Sequence, residues 1–160
     1  MSANRGTAVI GLGNILLSDD GLGVHAVRRL RERQAVGEEV ELIEGGTGGL
    51  LLLPHLADAR RAILVDAIDN GAPPGAVTRL NGSDWMKAFS IRMTPHEVAL
   101  EDLLGAARLT GAWPEELVLL GAQPASIAFG TELSPAVAAA LDGLLDATLA
   151  ELEAWKTAFV

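Results

Sequence analysis

Cysteine is missing from this 160-residue chain. That excludes disulfides, zinc ribbons and thiol catalysis. Basic residues are in the minority: 12 Lys and Arg stand against 21 Asp and Glu, a formal net charge of −9. A nucleic-acid binder needs a basic face for phosphates. The cluster "RRLRER", Arg28–Arg33, lies on a helical pattern with glutamates close behind, so it reads as a solvated face. Long apolar runs are also lacking. "GGLLLLPHLA" is interrupted by Pro54 and His55 and is far too short to span a bilayer. The amino-terminal "MSANRGTAVIGLGN" has neither the apolar core nor the cleavage site of a secretory signal. The expectation is a cytoplasmic protein with no nucleic acid and no membrane among its partners.

What is present suits a globular domain: 49 % hydrophobic and 21 % charged residues. The length argues for one domain over residues 1–160. Short apolar runs alternate with helical patterns. Thr7–Gly11, Val40–Ile43, Ala62–Asp66, Ala76–Leu80 and Glu116–Leu120 read as strands. Gly21–Arg33, Leu50–Leu56, Glu97–Leu109 and Ser134–Trp155 read as helices, the second packed on most sides. Ser134 is the expected N-cap of the last helix, with Pro135 at its first position. This order predicts a three-layer α/β/α sandwich around a mostly parallel five-stranded sheet. The fourth strand follows the tight turn "NGAPPG" instead of a crossover helix, so it is expected to run antiparallel.

In such sheets ligands bind beyond the carboxyl ends of the strands. Three residues there carry chemistry. Asp20 ends the loop "GLGNILLSDDGLG" after the first strand; either it or Asp19 can cap the following helix, and two acids exceed what one cap needs. Asp66 closes the third strand, where an aspartate either pins a loop or serves a site. His96 lies in "TPHE", where Thr94 and Glu97 have capping-box spacing and Pro95 takes the first helical position. The helix dipole disfavours imidazolium there, and a neutral imidazole is a metal ligand. Two carboxylates and one imidazole suit a divalent transition metal. His25 and His55, inside helical patterns, are expected in ordinary surface or boundary roles. Two more loops share the edge. "EGGTGG" (Glu44–Gly49) allows close backbone approach to a ligand or peptide, and "GAQPASIAFGTELS" (Gly121–Ser134) is long and irregular.

Rival chemistries fit less well. "GLGNIL" has two glycines of a dinucleotide turn, but Leu16 replaces the third, and Asp19 and Asp20 would oppose a pyrophosphate. Glu44 stands where a ribose-binding acid would be expected. No G-x-S-x-G elbow supports a serine hydrolase.

"GLGNILLSDDGLG", "EGGTGG", "AILVDAIDNG", "TPHE" and "GAQPASI…ELSP" together resemble the motifs of the hydrogenase maturation proteases, in the same order. The resemblance runs from the first strand into the last helix. It implies an α/β endopeptidase that removes a short C-terminal extension from the large-subunit precursor of [NiFe] hydrogenase after nickel delivery. By motif it implies that Asp20, Asp66 and His96 are both catalytic and metal-engaging, toward nickel brought by the substrate. It also suggests substrate contacts at Gly45, Gly46, Thr47, Gly48 and Gln123. Two departures stand out: Asp20 where some members have glutamate, and Glu44 where the family often has aspartate. A monomer that meets its substrate transiently is expected. The alternative is a non-catalytic maturation chaperone that binds the precursor tail.

Overall fold

The computed structural model describes residues 6–84 and 95–157. Among these residues five strands form one sheet: β1 (Thr7–Leu12), β2 (Val40–Gly46), β3 (Arg61–Ala67), β4 (Val77–Asn81) and β5 (Glu116–Ala122). Four α-helices of the described residues accompany them: α1 (Leu22–Glu32), α2 (Leu53–Asp58), α3 (Pro95–Thr110) and α4 (Pro135–Thr157). The strand order is β2-β1-β3-β5-β4. β1 runs parallel to β2 and β3, and β3 parallel to β5, while β4 is antiparallel to β5 as expected.

Alternation along the strands builds the layers. Ala8, Ile10 and Leu12 of β1 join Ala62 and Leu64 of β3 under Leu56 of α2 and Leu100, Leu103 and Leu104 of α3. Val9, Ile63, Val65, Val118 and Leu120 face the other way, toward Ala26, Val27 and Leu30 of α1 and Val137, Leu141 and Leu144 of α4. A period of two along strands sealed on both faces gives near-continuous apolar runs, which is why "AILV" and "LVLL" read as strands. Burying one such side chain contributes about 1.5–3 kcal/mol, so most of the folding energy sits in these two layers.

Two elements differ from the sequence expectation. Glu44, Gly45 and Gly46 belong to β2, not to a loop. The pairing of β1 with β2 jumps from Gly11↔Glu44 to Leu12↔Gly46, so Gly45 is the extra residue of a bulge. Gly46 follows with φ +54°, a conformation glycine tolerates best. The helix expected over Leu50–Leu56 begins as a 3₁₀ turn at Gly49–Leu52, and only Leu53–Asp58 is α-helical. It is not covered on most sides either. Leu50 and Leu51 are exposed, while Leu52 and Leu56 are buried in the core and Leu53 packs against it.

The order places β2 and β3 on opposite sides of β1. The connections leaving β1 and β3 therefore diverge over a crevice at the carboxyl edge, the position where open α/β sheets bind ligands.

Candidate active site

Asp20 and Asp66 reach this crevice from two strands. β1 ends at Leu12, and the chain turns through Gly13 into a 3₁₀ turn over Ser18–Gly21 that feeds α1. Gly13 has φ +111°, and a Cβ there would sit 1.7 Å from the Asp20 carbonyl oxygen and 3.4 Å from Asp66 Oδ1. The Asp20 backbone and the Asp66 carboxylate are thus neighbours across one glycine. Gly23 makes a second close approach: its Cβ would lie 2.0 Å from the Val65 carbonyl oxygen. These glycines are there so that the first loop and the start of α1 can lie on β1 and β3.

Both acids are nearly sealed from solvent, Asp20 at 4 % and Asp66 at 5 % exposure. Each has an anchored oxygen. The Asn14 N–H donates to Asp20 Oδ2 at 2.9 Å, and the Ala67 N–H donates to Asp66 Oδ1 at 2.8 Å. Carboxylates held by backbone N–H groups keep a fixed direction.

Asp19 does a different job from its neighbour. It is fully buried. Its carboxylate accepts the N–H groups of Ala125, Ser126 and Ser134 at 2.9, 3.1 and 2.7 Å, and the Ser134 hydroxyl at 2.7 Å. Burial alone would raise its pKa, but the two Ser134 donors, with Ala125 and Ser126, outweigh burial and hold it below the ordinary 3.8. Asp19 caps neither the 3₁₀ turn nor α1 with its side chain. It instead ties the first loop to the loop after β5 and to the start of α4. There Ser134 is the N-cap, its Oγ accepting the Val137 N–H at 3.4 Å. Backbone bonds reinforce the tie: Ser18 N–H to the Gly130 carbonyl at 2.8 Å, Gly130 N–H to Leu16 at 2.9 Å, and Asp19 N–H to Ser126 at 3.1 Å.

The nucleotide alternative fails on the same bonds. A phosphate cradle needs loop N–H groups turned outward. Here those of Gly13, Asn14, Leu16, Leu17, Ser18, Asp19 and Asp20 donate to acceptors within the chain. Glu44 is also committed: Arg28 Nε donates to it at 2.8 Å, and Arg31 bonds its other oxygen. Those two arginines, Arg31 first, hold the Glu44 carboxyl below its usual value. With Arg29 on Glu32 and Arg33 on Asp142, the "RRLRER" face is exposed and partnered by acids of the same chain.

His96 stands in the first turn of α3 by its backbone. Its side chain, and Thr94 of the capping box, lie outside the described residues. Among the described residues no group of three His, Asp or Glu side chains is placed to hold a metal. The described part of the site is therefore the carboxylate pair.

The residues expected to touch substrate separate into two groups. Gly46, Thr47 and Gly49 line a small apolar cleft with Leu12, Leu52, Leu100 and Leu103, between the end of β1 and α3. Gly45 is packed inward, its would-be Cβ 2.9 Å from Ile10 Cγ2, and Gly48 opens the 3₁₀ turn. Gln123 is buried and doubly engaged. Its Oε1 accepts the Asn70 N–H at 3.0 Å and its Nε2 donates to Asp69 Oδ1 at 2.9 Å. It stitches the connection after β3 to the end of β5. Asp19 carries the densest of these networks, yet the sequence marked it only as a possible cap. Its signal was the doubled acid, one more than a cap requires.

Known proteins similar to this chain in sequence and fold carry names from hydrogenase maturation. The family model described as hydrogenase maturation protease matches residues 24–151. The chain is 37 % identical over 145 residues to the hydrogenase 2 maturation protease of Escherichia coli, covering 90 % of this chain and 88 % of that one. It is 38 % identical over 150 residues to the hydrogenase expression/formation protein HupD of Rhodobacter capsulatus, covering 92 % and 71 %. The solved structure of the hydrogenase maturating endopeptidase HybD from E. coli superposes with a TM-score of 0.85 at 35 % identity, covering 92 % of each chain. The [NiFe] hydrogenase maturation protease HybD from Thermococcus kodakarensis superposes with a TM-score of 0.75 at 26 % identity, covering 89 % of this chain and 96 % of that one. The chain belongs to the hydrogenase maturation protease family.

Proposed function

We propose that this endopeptidase removes the C-terminal extension of a [NiFe] hydrogenase large-subunit precursor once nickel is in place. The observation that carries the reading is the meeting of Asp20 and Asp66 across Gly13, at the switch point of the sheet. The two acids supply oxygen donors and His96 a ring nitrogen. That donor set suits a borderline divalent ion. The nickel is part of the substrate in this scheme, carried in by the precursor, so the protein itself needs no tightly held metal.

Asp20 and Asp66 then have two tasks. They recognise the metal-loaded precursor, and they fix the scissile peptide in position beside it. A metal next to a peptide carbonyl or a water acts as a Lewis acid. A nearby carboxylate with a fixed direction is placed to take a proton from the attacking water. Gly46, Thr47 and Gly48 offer backbone along which the tail of the precursor can lie. Gln123 contributes by holding the carboxyl edge in shape. The chaperone alternative, tail binding without cleavage, is disfavoured by the endopeptidase names of the relatives and structural neighbours.

The test is incubation of purified protein with nickel-loaded and nickel-free precursor, followed by mass spectrometry of the large subunit. Loss of the tail only from the nickel-loaded form is expected. Equal cleavage of both forms, or full cleavage by an Asp66→Ala/His96→Ala variant, overturns the proposal.

A further inference from the structure

Large apolar side chains are exposed unevenly over this molecule. Among the described residues Leu16, Leu50, Leu51, Val77, Ile127 and Phe129 are exposed at or next to the carboxyl edge of the sheet. Val77 belongs there because antiparallel β4 begins opposite Ala122, the last residue of β5. Leu109 is the exception. It lies near the end of α3, before β5 begins, and so at the opposite edge. Exposed apolar side chains gathered at one place mark contact surfaces.

Three of the six are held on one rigid support. Leu16 is on the first loop, and Ile127 and Phe129 are on the loop after β5. The two loops are clasped by the four donors to Asp19, by the Leu17↔Gly130 bridge, and by the Ser18 hydroxyl, which donates to the Ala128 carbonyl at 2.6 Å. The loop is tied on both sides of Phe129, at Ala128 and Gly130, and Phe129 is 92 % exposed. Preorganised apolar groups of this kind bind without an ordering cost.

The occupant follows from activity and charge. The family's reaction requires a polypeptide. The segments Gly11–Gly23 and Gly121–Ser134 contain no lysine or arginine; of their acids Asp19 and Asp20 are buried and Glu132 is exposed. A segment that suits this surface is apolar, with a basic residue beside it to meet Glu132. We propose that Leu16, Ile127 and Phe129 form the specificity surface that seats an apolar, basic-flanked segment of the precursor protein next to the bond to be cut. The proposal rests on the reading of Asp20 as part of the site, since Leu16 is joined to Asp20 through one short turn.

The test uses the full chain and the nickel-loaded precursor. A Leu16→Ala/Phe129→Ala variant is expected to raise KM about tenfold with kcat unchanged, as for loss of a hot spot in uniform binding. Both side chains are exposed, so the thermal midpoint is expected to stay the same. Leu109→Ala, at the far edge, is the control and leaves KM unchanged. An unchanged KM in the double variant overturns the proposal. Direct binding of the precursor, measured by calorimetry, separates this proposal from the proteolytic reading. If the wild type binds without cutting while the double variant fails to bind, the cleavage reading falls and the docking surface stands. If Asp66→Ala stops cleavage but keeps binding, both readings hold together. Equal binding by wild type and double variant, or no binding by the wild type, overturns the docking surface.

Discussion

The exposed ion pairs at the amino edge of the sheet and the three buried aspartates at its carboxyl edge handle charge in opposite ways. At the amino edge exposed charge is met by charge. Arg60 pairs with Glu115 at 2.9 Å, and Lys156 with Glu39 at 3.4 Å. Arg61, at the start of β3, donates to the Trp155 carbonyl at 2.7 Å and lies over the Trp155 ring at 5.7 Å. At the carboxyl edge Asp19, Asp20 and Asp66 are met by backbone N–H groups. An ion pair neutralises a carboxylate. A backbone N–H orients it without bringing a countercharge. The first arrangement neutralises exposed charge at one end of the molecule, and the second fixes the direction of buried carboxylates, of which Asp20 and Asp66 meet across Gly13.

The contrast can be broken most severely by filling the space between the loops. Gly13→Ala puts a methyl group within 2 Å of the Asp20 carbonyl, at a φ that alanine resists. A loss of about 3 kcal/mol or more in urea unfolding is expected, with no cleavage left. An alanine scan of the amino edge should contain nothing comparable among its exposed ion pairs.

Removing charge without removing shape separates activity from stability. Asp20→Asn and Asp66→Asn keep an oxygen for the Asn14 and Ala67 N–H groups. Cleavage of the precursor is expected to fall on the order of 10²–10⁴-fold, the range for loss of a positioned acid–base group. The thermal midpoint should equal or exceed that of the wild type, because two like charges no longer share one edge. A midpoint well below wild type would mean that these acids hold the fold and not the chemistry.

Asp19 should behave in the reverse sense. Asp19→Ala leaves four donors without their acceptor and is expected to cost about 1–3 kcal/mol. The pH dependence has a definite sign. Its pKa is lowered in the fold, so the stability it supplies is fully present above the ordinary 3.8 and is lost as pH falls from there through the folded value. Urea midpoints measured across that acid range should decline more steeply for the wild type than for Asp19→Ala. Parallel curves would remove the assigned role.

The smallest effect belongs to the amino edge. Arg60→Ala breaks an exposed pair and is expected to change stability by no more than about 1 kcal/mol and cleavage not at all. A loss of activity there would erase the distinction between the edges.

Much of this is legible in the sequence alone. The strands were visible because runs sealed on both faces are continuously apolar, and the antiparallel β4 because a tight turn leaves no room for a crossover. Asp20 and Asp66 stand out because both fall at the carboxyl edge, where open α/β sheets bind ligands, and because Asp19 and Asp20 together exceed what one cap needs. Strand and loop limits were less legible around Glu44–Gly46, because a bulge that absorbs Gly45 leaves no periodic trace. Leu50 and Leu51 misled for a related reason: an apolar run reports hydrophobicity and not which of its faces is covered.

By itself, then, the sequence determined the layered α/β fold, the edge that holds the candidate site, and the residue types placed there. Only the tertiary structure decided that Asp19 ties two distant loops while Asp20, its neighbour, turns to the crevice with Asp66. It also decided that Gln123 is spent on Asn70 and Asp69. The physical reason is the same in each case. Periodicity and turn chemistry are local, but a hydrogen-bond partner some 50 to 115 positions away is chosen only when the strands are set side by side.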